Sequence, residues 1–227
     1  IVPKFRRPLT MTEQVYNQLR RELMEGSIEA GQWLREHELA DSLGVSRTPV
    51  REAVRRLVQE GHLVLEPNKG VRVPQLSLDE AVATYEVRER LETMAAGLAA
   101  RRMTPAAGRL LRVRLEEMEE LSSAGFAEQI VADDRFHATI AHISGNPVLA
   151  EMIDLLNDRI MRVKILTKDL NPTEQARMQH RDIVVALESG DPDAAQAAVS
   201  SHIRMNLEVV SERMRETQTV QAAQASD

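Results

Sequence analysis

The sequence predicts a mainly α chain in two parts: three helices closed by a β-hairpin, then an all-α bundle of six antiparallel helices. Three observations carry this. Aromatic residues make up only 3% of the 227 residues, and the balance towards Ala, Leu, Val, Glu and Arg favours packed helices over sandwiches or barrels. Apolar residues recur at helical spacing through most of the chain, with Gly and Pro at the breaks. Only the stretch near residue 70 reads differently, as two β-prone pieces around a turn.

The elements follow in order. A first helix spans Met11 to Glu25, with Val15, Tyr16, Leu19 and Leu23 on one side, and Gly26 to Gly31 ends it. A short helix runs from Glu36 to Leu43 and closes at Gly44. The next opens at Ser46, a residue type suited to an N-cap, tolerates Pro49 in its first turn, and stops at Gly61. Leu63 to Glu66 and Val71 to Val73 flank the turn Pro67-Asn68-Lys69-Gly70. Three helices and a hairpin in this order describe a winged helix-turn-helix over residues 1–75. After Pro74, six helical segments fall near 78–102, 105–123, 126–144, 147–168, 173–189 and 191–215. Their breaks are Thr104-Pro105, Ala124-Gly125, Gly145-Asn146-Pro147, Asn171-Pro172 and Gly190-Asp191-Pro192. Residues 76–216 form this second domain, and 217–227, which lack periodicity, are expected to be a disordered tail.

Charge and composition narrow the function. There are no cysteines, so disulfides and thiolate metal sites are excluded. No run approaches the ~18 apolar residues of a membrane span, and Ile1 to Leu9 lacks the apolar region of a secretory signal, so a cytoplasmic protein is expected. Residues 1–75 hold twelve Lys and Arg against ten Asp and Glu; the remainder hold 17 against 25. A mildly basic head on an acidic body fits a DNA-binding domain joined to another module.

The helix after Ser46 supplies the chemistry such a head needs. Projected at 100° per residue, Val50, Ala53, Val54 and Leu57 form a core stripe, while Arg47, Arg51 and Arg55 climb a neighbouring side with Thr48 beside them. Arginines at the N-terminal end of a recognition helix can each donate two hydrogen bonds to guanine. Ser46 and Thr48 are short enough to bond phosphate near the positive helix end. A solvated Arg-rich face would look the same in isolation; the preceding helix, the Gly44 turn and the wing favour DNA.

These residues resemble the GntR family of bacterial regulators. The resemblance rests on Glu38-Leu39-Ala40, the run Leu43 to Ala53, Leu57, Glu60-Gly61 and Pro67 to Val73, covering most of residues 10–74. It implies DNA contacts from Ser46, Arg47, Thr48 and Arg51, and from the wing at Lys69 and Gly70. His37 stands where the family often has Arg, so a contact there is expected to be weaker or pH-sensitive.

In the second part, Asp133 and His137 lie four apart on one helix face with Ile130 and Ile140. His180 shares a stripe with Ile183, Val184 and Leu187, and His202 with Ala195, Val199, Met205 and Val209. The two histidines lie about ten residues either side of Gly190-Asp191-Pro192. At ~1.5 Å per residue, an antiparallel pair sets them level. One Asp and three His suit a divalent ion, zinc, nickel, iron or manganese, although a lone inward His is more often a hydrogen-bonded core residue. Asp134 is the competing carboxylate, in poorer register with His137.

This part resembles the FCD effector domain of the FadR subfamily, through Tyr85-Glu86-Val87-Arg88 with Leu91-Glu92, Asp133-Asp134-Arg135-Phe136-His137, Ser144 to Pro147, His180-Arg181 and Ser201-His202. Six helices resemble its VanR-type branch. The resemblance places one divalent ion per chain, most simply zinc or nickel, on Asp133, His137, His180 and His202. It also turns Arg88 towards an effector carboxylate, where the residues alone allow a salt bridge to Glu92. The expected protein is a homodimeric repressor reading near-palindromic double-stranded DNA and answering to a small organic acid. Two other readings stay open: an enzyme using the Asp/His set as a catalytic metal site, although no further carboxylate of the motif stands as a general base, and a sensor of the ion itself.

Overall fold

The computed structural model describes residues 9–67, 69–167 and 174–224. Asn68 of the expected turn, the expected break at Asn171-Pro172 and residues 225–227 of the expected tail lie outside them. The chain divides into two compact units, 1–75 and 76–227.

In the first unit, α1 (Met11–Glu25) opens with a capping box in which Thr10 and Glu13 satisfy each other's backbone N–H groups. Next come α2 (Glu36–Leu43) and α3 (Arg47–Gln59). Gly44 joins them in the left-handed conformation, φ 65°, which a residue with a Cβ rarely adopts. Val15, Leu19 and Leu23 of α1 bury against Val50, Val54 and Leu57 of α3. The wing has three strands rather than two. β2 (Val64–Glu66) and β3 (Gly70–Arg72) form the expected hairpin, and β1 (Trp33–Leu34) pairs with the other edge of β3, Trp33 opposite Arg72 and Leu34 opposite Val71. Two residues are too few to display a period-two pattern, so β1 leaves no trace in the sequence. It forms because its neighbours bond to the chain beyond β3: Gly31 N–H donates to the Val73 carbonyl and Val73 N–H to that of Gln32.

The second unit contains α4 (Leu78–Arg101), α5 (Pro105–Glu120), a short 3-10 turn at Leu121–Ser123, α6 (Phe126–Ile143), α7 (Pro147–Thr167), α8 (Glu174–Glu188) and α9 (Pro192–Gln224). Ser77 and Glu80 form a capping box at the start of α4, and Thr104 caps α5 with Pro105 in its first turn. α4 packs against α6, α7, α8 and α9. Its small inner residues Ala81, Ala96 and Ala99 join Phe136, Ile140, Val163, Ile183, Leu187, Val199 and Ile203 in one core. The last helix runs past residue 216 to Gln224, where the sequence suggested a disordered tail from 217. That stretch has no apolar stripe, but Gln and Ala propagate a helix already begun and no Gly or Pro stops it. No helix of the described residues is long and apolar enough to cross a membrane.

Candidate metal centre and nucleic-acid interface

Three helices bring Asp133 and His137 (α6), His180 (α8) and His202 (α9) to one place. Each offers a ligand atom, and these atoms all lie within 4.8 Å of one another. The 3.6-residue turn sets Asp133 and His137 on one face, and the α8–α9 hairpin levels the other two, with ring centroids 4.4 Å apart. His137 stacks on His202 at 5.3 Å, and Phe136 closes edge-on against His137 and His180. All three imidazoles are buried. Asp134, the competing carboxylate, is not part of the group; burial raises its pKa.

The ring nitrogens of His137 and His180 are buried with no hydrogen-bond partner. His180 Nε2 lies 3.2 Å from Asp133 Oδ1 and His137 Nδ1 lies 2.6 Å from Glu92 Oε2, but neither approach has hydrogen-bond alignment. Orphaned imidazole nitrogens converging on a carboxylate fit a cation, because buried polar groups otherwise find partners. An ion with bonds of about 2.1 Å holds its ligand atoms about 3–4 Å apart, close to the spacing found. Burial lowers the pKa of His180, and lowers that of His202 well below its usual value with help from the other two imidazoles. Both are thereby kept neutral, the form that ligates. Burial works against the Asp133 carboxylate, yet the Lys164 ammonium and the imidazoles of His137 and His180 hold its pKa well below the usual range.

Outer partners fix the ligands. His202 Nδ1 pairs with Gln179 Oε1 at 3.1 Å, which suits a proton on Nδ1; the Nε2 lone pair faces Asn206 Nδ2 at 3.1 Å, a contact that an ion on Nε2 would replace. Lys164 of α7 bonds Asp133 Oδ2, so that carboxylate shows one oxygen to the ammonium and the other to the histidines. Lys164, Gln179 and Asn206 went unnoticed in the sequence. Asn206 follows His202 by four residues and Gln179 adjoins His180, whereas Lys164 sits in an inward stripe with Ile160, Met161 and Val163, where an ammonium needs a partner.

Arg88 is fully enclosed in α4. Its Nε donates to Glu92 Oε1 at 2.6 Å, the salt bridge the spacing allowed, while Nη1 has no partner. Burial opposes the Glu92 charge, but Arg88 and His137 bring its pKa down to about 2. A carboxylate does therefore stand beside the histidines; committed to Arg88, it is poorly suited to act as a base. The Tyr85 hydroxyl, one turn before Arg88, is also buried and unpartnered.

In the first unit, Ser46 caps α3 by position, but it is exposed and its side chain makes no capping bond. Arg47, Thr48 and Arg51 are exposed along the first turns of α3. Arg55 pairs with Glu52 at 3.5 Å, whereas no ion pair to Arg47 or Arg51 occurs among the described residues. On the wing, Lys69 and Gly70 are exposed, with Lys69 Nζ 3.3 Å from Glu66. His37 is half-exposed, 3.9 Å from Glu38.

Known proteins share both halves. The model of "Bacterial regulatory proteins, gntR family" matches residues 11–73, and that of the FCD domain matches residues 83–205. The chain is 33% identical to the "Probable D-xylose utilization operon transcriptional repressor" of Paenarthrobacter nicotinovorans, over 86% of each protein. It is 31% identical to the HTH-type transcriptional regulator McbR of Escherichia coli, over 89% of this chain and 93% of McbR. The solved structure of E. coli McbR/YncC superposes with a TM-score of 0.71 at 30% identity, covering 91% of this chain and 99% of that one. With a DNA-binding head, an effector-type domain and relatives that are transcription regulators rather than enzymes, this chain belongs to the GntR family, in its FadR-like subfamily with an FCD domain.

Proposed function

We propose that this regulator is a homodimeric repressor whose grip on a near-palindromic operator is set by a small carboxylate bound at a divalent ion. Repression is what the name of the Paenarthrobacter relative states for that protein. Arg47 and Arg51 read base edges, Ser46, Thr48 and Lys69 hold phosphates, and Gly70 lets the wing backbone approach the duplex. Two-fold symmetry of the protein matches two half-sites. In the second unit, Asp133, His137, His180 and His202 hold the ion, with zinc or nickel suited to a three-imidazole set. The ion supplies a Lewis-acidic point for a carboxylate oxygen; Arg88, its Nη1 free, pairs with the same carboxylate.

The observation that carries this reading is the convergence of buried, unpartnered histidine nitrogens on one carboxylate. Elemental analysis of purified protein should find about one divalent ion per chain, and His202→Ala should lower metal content and thermal stability together, since an ion held between three helices stabilises the fold by mass action. Operator titrations with and without metal, and then with acetate, separate the roles. A response to metal alone would make the ion the signal, and a metal-free wild type would return the histidines to the core.

A further inference from the structure

A second cation lies beside the candidate metal ligands, and the function proposed above gives it no contact with the effector. Lys164 enters from α7, a different helix from Arg88, and both side chains are almost fully enclosed. Its ammonium bonds Asp133 Oδ2, one carboxylate away from the histidine nitrogens. An ammonium carries three N–H donors, and among the described residues Asp133 is its only hydrogen-bond partner, so donors remain. Arg88 is in the same position: Glu92 takes Nε while Nη1 stays unpaired, with the unpartnered Tyr85 hydroxyl one turn away.

Charge balance points the same way. Arg88 and Lys164 offset Glu92 and Asp133, the partly buried Asp134 carboxyl stands beside them, and ligating imidazoles are neutral. A divalent ion then leaves an excess of positive charge where water is scarce, a costly state unless an anion accompanies it. A monocarboxylate on the ion supplies such an anion but leaves the spare Lys164 donors empty.

We infer that the effector is a dicarboxylate, one acid group taken by the ion and Arg88 and the other by Lys164. This rests on the metal-assisted carboxylate pocket proposed above and assigns Lys164 a specificity role within it. Asp133 then does two jobs, one oxygen for the ion and the other to hold the ammonium in place.

The test is calorimetric titration of the Ni2+-loaded full chain with malonate, succinate and glutarate, each beside the monocarboxylate of the same chain length. At least one dicarboxylate should bind about tenfold or more tightly than its partner, the effect of an added charge-assisted hydrogen bond. Lys164→Met should remove that preference, so that each dicarboxylate binds within about twofold of its monocarboxylate partner, and Lys164→Arg should keep it. Because Lys164→Met strips Asp133 of its cation, nickel content and the circular dichroism of the variant are measured alongside. If it does not fold, the wild-type comparison and Lys164→Arg still decide. Monocarboxylates binding as tightly as dicarboxylates, or a preference that survives in folded Lys164→Met, would overturn the dicarboxylate assignment alone. Absence of binding by any of the six acids would overturn it together with the carboxylate pocket.

Discussion

Arg47 and Arg51 combine three properties rarely found together: they start a helix, they are exposed, and no carboxylate among the described residues neutralises them. Exposed arginines on a protein's own surface commonly settle against a nearby Glu, as Arg55 does with Glu52. Leaving two guanidiniums free costs little in water and keeps their forks available for base edges. Arg47→Ala and Arg51→Ala should each weaken operator binding by about one to two orders of magnitude while leaving thermal unfolding unchanged. Gel-shift titration against operator and scrambled DNA checks this. Unchanged discrimination in both variants would move base reading off α3. At this scale, legibility followed register. Spacing made two pairs readable, Asp133 with His137 on one helix face and His180 level with His202 across a tight hairpin, while the resemblance to the FCD domain joined the two pairs. Lys164 was not readable, since its meeting with Asp133 joins α7 to α6 across 31 residues and leaves no local pattern.

Helices announce themselves through periodicity and punctuation, so α1 and α2 begin and end where their apolar spacing and glycines suggested. Contacts between helices are less visible. Tyr16 reads from sequence as one more apolar position of α1, yet its hydroxyl donates to Glu60 Oε2 at 2.6 Å, just past the end of α3. Arg56 of α3 lies 3.8 Å over its ring and bonds the same carboxylate at 2.9 Å. Burial, reinforced by Glu60, pushes the Tyr16 pKa up to about 12 from 10.0. A raised pKa means the folded state retains a proton that the unfolded chain releases. This contribution is therefore whole below pH 10 and lost as pH climbs towards 12. Tyr16→Phe should cost about 1–2 kcal/mol at pH 7 by leaving Glu60 one donor short. Urea unfolding from pH 8 to 12 should show the gap between wild type and variant closing through that window. A gap independent of pH would show that the hydroxyl's ionisation is not coupled to folding.

At the scale of the whole molecule, the break in texture at Pro74 to Ser77 separates two cores that share no member: one built from Val15, Leu19, Val54 and Leu57, the other from Phe136, Ile140, Ile183 and Val199. The charge division falls at the same place, the mildly basic part before it and the acidic part after. Each unit thus owns the apolar surface it needs to fold, and the second also owns every proposed metal ligand, with Arg88 and Lys164. Hydrophobic burial and the mass action of the proposed ion would both operate inside this unit, so deleting the head removes no proposed ligand and no member of that core. If the full chain is the metal-binding dimer proposed above, a fragment beginning at Leu76 should also be helical and dimeric, hold about one divalent ion per chain, and unfold at a midpoint that rises when metal is added. Circular dichroism, sedimentation and metal analysis of that fragment check each point. A helical fragment that holds metal but sediments as a monomer would place the dimer contact in the head. A fragment that loses both helix and metal would show that the second unit depends on the first to fold.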